Sequence, residues 1–132
     1  MNKKGDLIME LTQFFKSIID EDKCAVVICD MNHTIIYMNP AACERYAKRG
    51  GAALLGRNLL ECHNSESIEM IHKVIEWFRL SKSNNRIYTS YNEKENKDVY
   101  MIALRNEQSD LIGYYEKHEY RNRETESFYN FK

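Results

Sequence analysis

The chain has 132 residues, 43% hydrophobic, 11% aromatic and 30% charged, and its 19 Lys+Arg balance 20 Asp+Glu to a net charge of -1. That amounts to one domain with enough apolar material for a core, which argues against a disordered chain; the even charge gives no global pull toward nucleic acid or an anionic membrane. One Pro and five Gly exclude collagen-like and linker sequences, and no stretch reaches the ~18–20 apolar residues of a membrane span.

In chain order, the first element is a helix running from Asp6 to about Asp20. Leu7, Ile8, Leu11, Phe14, Phe15, Ile18 and Ile19 recur at spacings of three and four, and Asp6 is placed as its cap. Such a helix is marginal alone in water, so its apolar stripe must pack on the domain or on a second copy. Two short strands follow, residues 24–29 and 33–38, joined by the polar turn Asp30-Met31-Asn32. Asn39 caps a short helix with Pro40 in its first position, and Gly50-Gly51 end it. A helical turn at residues 52–55 and a loop with short helical pieces over 56–64 lead to the clearest helix. Ser65 caps that helix, Glu66 and Glu69 make its start acidic, and Lys82 stands at its end. Its core stripe is Ile68, Ile71, Val74, Ile75 and Phe78. The remainder reads as a three-stranded meander: residues 86–91, a charged turn over 93–97, residues 99–104, a second turn over 106–110, and residues 111–120. Residues 121–132 form a polar and aromatic tail that frays or continues as a helix toward a partner. The order predicts an α+β domain, a five-stranded antiparallel sheet with helices on one face and an N-terminal amphipathic flanking helix.

The N-terminus lacks the continuous apolar stretch of a secretory signal, so a cytoplasmic location is expected. Cys24, Cys29, Cys43 and Cys62 are then reduced thiols, and they form no C-x-x-C pair. No nucleophile elbow, Walker loop or H-E-x-x-H stands in the chain, and no enzymatic activity is expected.

Residues 24–42 read C-A-V-V-I-C-D-M-N-H-T-I-I-Y-M-N-P-A-A. This resembles the opening of a PAS domain: an apolar strand ending in Asp, a turn, an Ile-x-Tyr strand, then Asn-Pro-Ala. The long helix and three-stranded finish follow the same order. The resemblance covers about residues 20–120 and implies three parts: residues 1–20 as a dimerisation or docking helix, 21–120 as the PAS domain, and 121–132 as the tail. Residues 56–63, G-R-N-L-L-E-C-H, resemble a bacterial PAS subgroup often found beside hemerythrin-like domains, with a Gly-Arg…Cys-His run before the long helix. No such output domain, and no kinase, cyclase or DNA-binding segment, is recognisable here. The same stretch is similar to the flavin-binding helix of light-oxygen-voltage domains, Gly-Arg-Asn-Cys-Arg-Phe-Leu-Gln. Here Leu59 follows Asn58 where that family has its photoactive Cys, and the flavin-holding Arg and Gln are missing, so covalent flavin photochemistry is not expected.

The resemblance implies a sensory module with a small ligand or cofactor between the sheet and the long helix. Cys62, His63, His72, Ile71 and Ile75 are the pocket candidates. For Cys62-His63 three readings stand: a haem or metal ligand set, a redox-sensing thiol at Cys62, or a packed small side chain beside a helix end. His72 lies where haem-binding PAS proteins carry their proximal His, or it faces solvent. The cofactor is open, with haem one option and flavin a lesser one. The expected partners are a second copy through the helix of residues 6–20, a small molecule and a downstream signalling protein, with no nucleic acid and no membrane. The alternative is a ligand-free interaction module whose core is filled by Met38, Met70 and aromatics. Arg105 is read as an exposed strand-end residue, and the 93–97 run as a solvated turn.

Overall fold

The structure, a computed structural model, describes residues 3–132; the side chains of Lys3, Lys4, Asp6, Ile8 and Met9 lie outside the described set. Helix α1 (Lys3–Glu21) leads into the hairpin β1 (Val27–Asp30) and β2 (Ile35–Met38). Helix α2 (Pro40–Arg45) and single 3-10 turns at Ala47–Arg49, Gly51–Leu54 and Leu59–Cys62 connect it to helix α3 (Ser65–Leu80). The meander β3 (Arg86–Asn92), β4 (Lys97–Arg105) and β5 (Leu111–Tyr120) completes the chain. The five strands form one antiparallel sheet in the order β2-β1-β5-β4-β3, the predicted α+β architecture.

Period-two alternation sorts the sheet into two faces. Val99, Met101 and Ala103 of β4 and Tyr114 of β5 are buried on one face, and the register sets Met101 opposite Glu116 and Ala103 opposite Tyr114. Val74, Ile75 and Phe78 of α3 close on this face together with Cys29, Ile35 and Met38. Phe78 is fully buried, a contribution of about 2–3 kcal/mol from its ring alone. β1 and β5 approach so closely at Gly113 that an added Cβ would stand 2.2 Å from the Cys29 carbonyl oxygen. Only a residue without a side-chain carbon permits that pairing.

Asn39 organises the N-terminal half. Its Oδ1 accepts from the amides of Ala42 (2.9 Å) and Val26 (2.8 Å), and its Nδ2 donates to the carbonyls of Ile19 (2.9 Å) and Cys24 (3.0 Å). The capping role expected of it therefore holds, and it also ties α2, the approach to β1 and the end of α1 together. This explains why β1 starts at Val27 rather than Cys24: the backbone of Cys24 and Val26 is engaged by Asn39. β2 likewise starts at Ile35, because His33 has φ +64° and Thr34 makes an isolated bridge to Asn58.

Four other expectations are corrected. α1 begins before Asp6, whose backbone is helical; its capping role cannot stand, and its side chain lies outside the described residues. α3 is capped by Asn64, whose Oδ1 accepts from the Ser67 amide at 2.8 Å, so Ser65 is its first helical residue; it ends at Leu80, before Lys82. The turn before β4 is not solvated throughout. Lys97 is buried and pairs with Glu95 at 3.0 Å, and Glu95 receives a bidentate bond from Arg45 at 2.8 and 2.9 Å. Arg105 is a clamp rather than an exposed arm: it donates to the carbonyls of Phe78 (2.6 Å), Ser81 (3.1 Å) and Ser109 (3.1 Å) and to Asn85 Oδ1 (2.6 Å). Its charge sits at the carboxyl end of α3, where the helix dipole favours a cation. The tail beyond Tyr120 forms no helix and is exposed.

α1 meets the domain near its C-terminus. There Tyr37 donates to Asp20, and Asn39 to Ile19. Its apolar stripe does not pack on the domain: Leu7, Leu11, Phe14, Phe15 and Ile18 are 40–69% exposed. No helix among the described residues is long and apolar enough to cross a membrane.

Candidate functional site

The concave side of the sheet, α3 and the connecting turns enclose a cavity of about 160 Å³. β1 and β2 contribute Val27, Cys29, Ile35 and Met38, β4 contributes Met101, α3 contributes Ile71, and the turns add Leu54 and Leu59. This wall is apolar because each strand sends alternate residues inward. The exposed lining residues Arg49, Cys62, His63 and Glu116 mark where the space meets solvent.

Polar chemistry enters from β5, whose inward row is Tyr114, Glu116 and His118. His118 is buried, and its Nε2 lies 3.0 Å from Glu116 Oε1. Burial by itself pushes the Glu116 carboxyl upward. The His118 hydrogen bond and the positive charges of His118, His63 and Lys97 outweigh it and hold the group below the usual carboxylate range. Glu116 nevertheless keeps 53% of its side chain accessible.

Beside this lies a second polar group. His33 Nδ1 and the Tyr114 hydroxyl share a 2.7 Å hydrogen bond, and the His33 ring meets His72 edge-on at 5.4 Å. Burial, then the neighbouring His72, lowers the His33 imidazole below its ordinary value. Burial pushes the Cys29 thiol up to about 11, which leaves it protonated and unreactive at neutral pH.

Of the five expected pocket residues, Cys62, His63 and Ile71 line the cavity. Ile75 is buried in the core behind it, and His72 is exposed on α3, against His33 and outside the lining. Met38 lines the cavity, whereas Met70, the other expected filler, is 53% exposed. Glu116 and His118 were missed as site residues. Their signal was available: counting by two from Tyr114 along an alternating strand puts both on the inner face, where a charge is out of place.

The cavity does not fit a large cofactor. A space of roughly 150 Å³ holds one benzene ring, and organic ligands of drug size use ~300–1,000 Å³. A porphyrin has four pyrrole rings and a flavin three fused rings, so either would extend beyond this space as it stands. Of the haem ligands considered, His72 lies outside the lining, whereas Cys62 and His63 stand at the mouth of the cavity. Among the described residues no three His, Cys, Asp or Glu side chains converge on a metal-sized site.

Comparison with known proteins agrees with this architecture. The sequence pattern of the PAS domain family matches residues 23–116. No curated protein matches the sequence. Among solved structures, a C-terminal domain from Streptococcus mutans is similar with a TM-score of 0.62 at 21% identity, over 82% of this chain and 83% of that one. A PAS domain from Colwellia psychrerythraea gives a TM-score of 0.61 at 14% identity, over 83% and 95%. A sensory box sensor histidine kinase structure from Vibrio cholerae gives 0.51 at 12% identity, over 87% and 95%. At these identities the likeness is one of fold.

Proposed function

The chain belongs to the PAS domain family, and we propose that it is a sensory module, binding a small organic molecule in the cavity and relaying that event through α1. The observation that carries this reading is an open, mostly apolar cavity bounded by the sheet, α3 and the turns, with the Glu116–His118 pair in its wall. The relay would run through Asn39. Ala25 lines the cavity, and its two neighbours, Cys24 and Val26, are bonded to Asn39, which also holds the Ile19 carbonyl of α1. A ligand that shifts Ala25 therefore shifts the anchor of α1.

The exposed stripe of α1 is covered, in this reading, by a second copy of the chain, and ligand binding biases the dimer between two arrangements. A downstream signalling protein reads that change. A reducing cytoplasm suits the four unbridged cysteines. Two measurements test the reading. Sizing with light scattering should give a dimer for the full chain and a monomer for residues 21–132; a truncated chain that stays dimeric removes α1 from the interface. Amide NMR during an ethylbenzene titration should move the signals of Ala25, Ile35 and Met101; unmoved signals would refute a ligand site.

A further inference from the structure

We propose that the cavity selects a small organic cation: a single-ring or branched hydrocarbon body on the apolar wall, with an amine bound to Glu116. This rests on the reading of the cavity as a ligand site and names the ligand's chemistry.

Glu116 stands on the inner row of β5, opposite Met101 across the ladder, where every neighbouring inward position of β4 from 99 to 103 is apolar. The carboxylate keeps 53% of its side chain accessible, and the apolar side chains beside it offer it no donor. One oxygen, Oε1, is matched by His118 Nε2 at 3.0 Å. Among the described residues the other oxygen has no protein donor. The carboxyl is held on its ionised side by the positive groups around it. An ionised carboxylate only accepts, so the group that completes it must donate, and a cationic donor does so with a charge-assisted bond.

The other charges around the cavity are already met or are open to water. Lys97 is engaged by Glu95 at 3.0 Å. Arg49 borders the space but is exposed, so an anion held there competes with water and salt. His63 is exposed as well. Glu116 is accessible too, with 53% of its side chain open, but it stands on the inner row of β5 with one oxygen already held by His118, so it is the fixed acceptor among the lining groups. The volume of about 160 Å³ sets the size of the body at one ring. A two-carbon arm then carries the nitrogen away from the ring, toward the carboxylate.

The test uses the full chain and three probes of nearly equal size: 2-phenylethylamine, ethylbenzene and phenylacetate. Affinities are read from amide NMR titrations, with the signals of Met101, Tyr114 and Glu116 as reporters. The amine should bind at least about tenfold tighter than ethylbenzene, the step a charge-assisted bond supplies over a bare apolar contact. Phenylacetate should bind more weakly than ethylbenzene. Glu116→Gln keeps the side chain's size and an acceptor for His118 but removes the charge; it should erase the amine's advantage over ethylbenzene. Equal binding of amine and ethylbenzene, tightest binding of phenylacetate, or an amine preference that survives in Glu116→Gln would each overturn the proposal while leaving a ligand cavity. Failure of all three probes to bind would overturn the cavity reading itself. The comparison of probes on the unaltered chain decides the matter even if the variant folds poorly.

Discussion

Replacing Asn39 by Ala should destabilise the domain far more than loss of an ordinary helix cap. The side chain is fully buried and serves three segments at once. Loss of the cap on α2, where Oδ1 accepts from Ala42, costs about 1 kcal/mol. The Val26 amide then loses its acceptor inside the protein, and the Cys24 carbonyl loses its donor. Each buried group left unmatched costs roughly 1–3 kcal/mol. The Ile19 carbonyl loses less, because it still accepts from Asp22 at 3.3 Å. Together the loss is about 3–7 kcal/mol, a large part of a typical domain's stability of ~5–15 kcal/mol. With a urea slope of about 2 kcal/mol/M, the midpoint should fall by roughly 1.5–3.5 M. Asn39→Ser retains a hydroxyl that caps α2 but is too short for the other partners. It should therefore recover only about 1 kcal/mol relative to Ala. A midpoint shift below about 0.5 M in Asn39→Ala, or full recovery in Asn39→Ser, would refute the assignment of Asn39 as the joint between α1, β1 and α2.

Three further outcomes are expected. Gly113→Ala places a methyl 2.2 Å from the Cys29 carbonyl oxygen, so two paired backbones must part; a loss of about 3 kcal/mol or more should appear as a lowered thermal midpoint, and an unchanged midpoint would contradict the close approach of β1 and β5. Arg105→Ala removes the charged donor from the Phe78 and Ser81 carbonyls and should cost about 2–3 kcal/mol in urea unfolding, with Arg105→Lys recovering part of it. Glu95, bonded by Arg45 and Lys97, is held down at about 2, so its contribution is present above the ordinary carboxylate value and is lost as pH falls from about 4.5 through about 2; Arg45→Met should flatten the acid limb of stability in that window, and an identical limb would show that the pair contributes nothing.

Much of the architecture was legible because it rests on local signals. Asn39-Pro40 marks a helix start through cap chemistry and the fixed φ of proline, and α2 begins there. The spacing of Val74, Ile75 and Phe78 marks the buried stripe of α3. Leu111 and Tyr120 bound β5 as expected. Failures came where two adjacent residues compete for one cap or where a distant partner decides the local outcome. Asn64 and Ser65 are both good caps, and only the fold shows that Asn64 takes the Ser67 amide. Lys97 looked like one more surface charge in a charged run, yet Glu95, itself held by Arg45 from fifty residues earlier in the chain, lets it be buried. Arg105 likewise finds its acceptors at the end of α3, which no spacing along the sequence reveals.

The site divides in the same way. Cys62 and His63 attracted notice because their side chains carry conspicuous chemistry, and both reach the edge of the cavity. His72 attracted notice through likeness to haem-binding relatives and instead packs on His33 at the surface. Glu116 and His118 were passed over as part of a polar-looking strand, although their register with Met101 and Val99 puts them inside. A residue's chemistry is thus a weaker guide to a pocket than its parity on a strand. Parity decides whether a charge meets water or the core, and a charge that meets the core must find a partner. In β5 His118 supplies a partner to one oxygen of Glu116, which lines the cavity. The same strand carries Tyr114, whose hydroxyl bonds His33 in the β1–β2 turn, while Asn39 holds the other end of that hairpin to α1. Cavity wall, hairpin and N-terminal helix are therefore joined by specific hydrogen bonds, the route that the proposed relay would use.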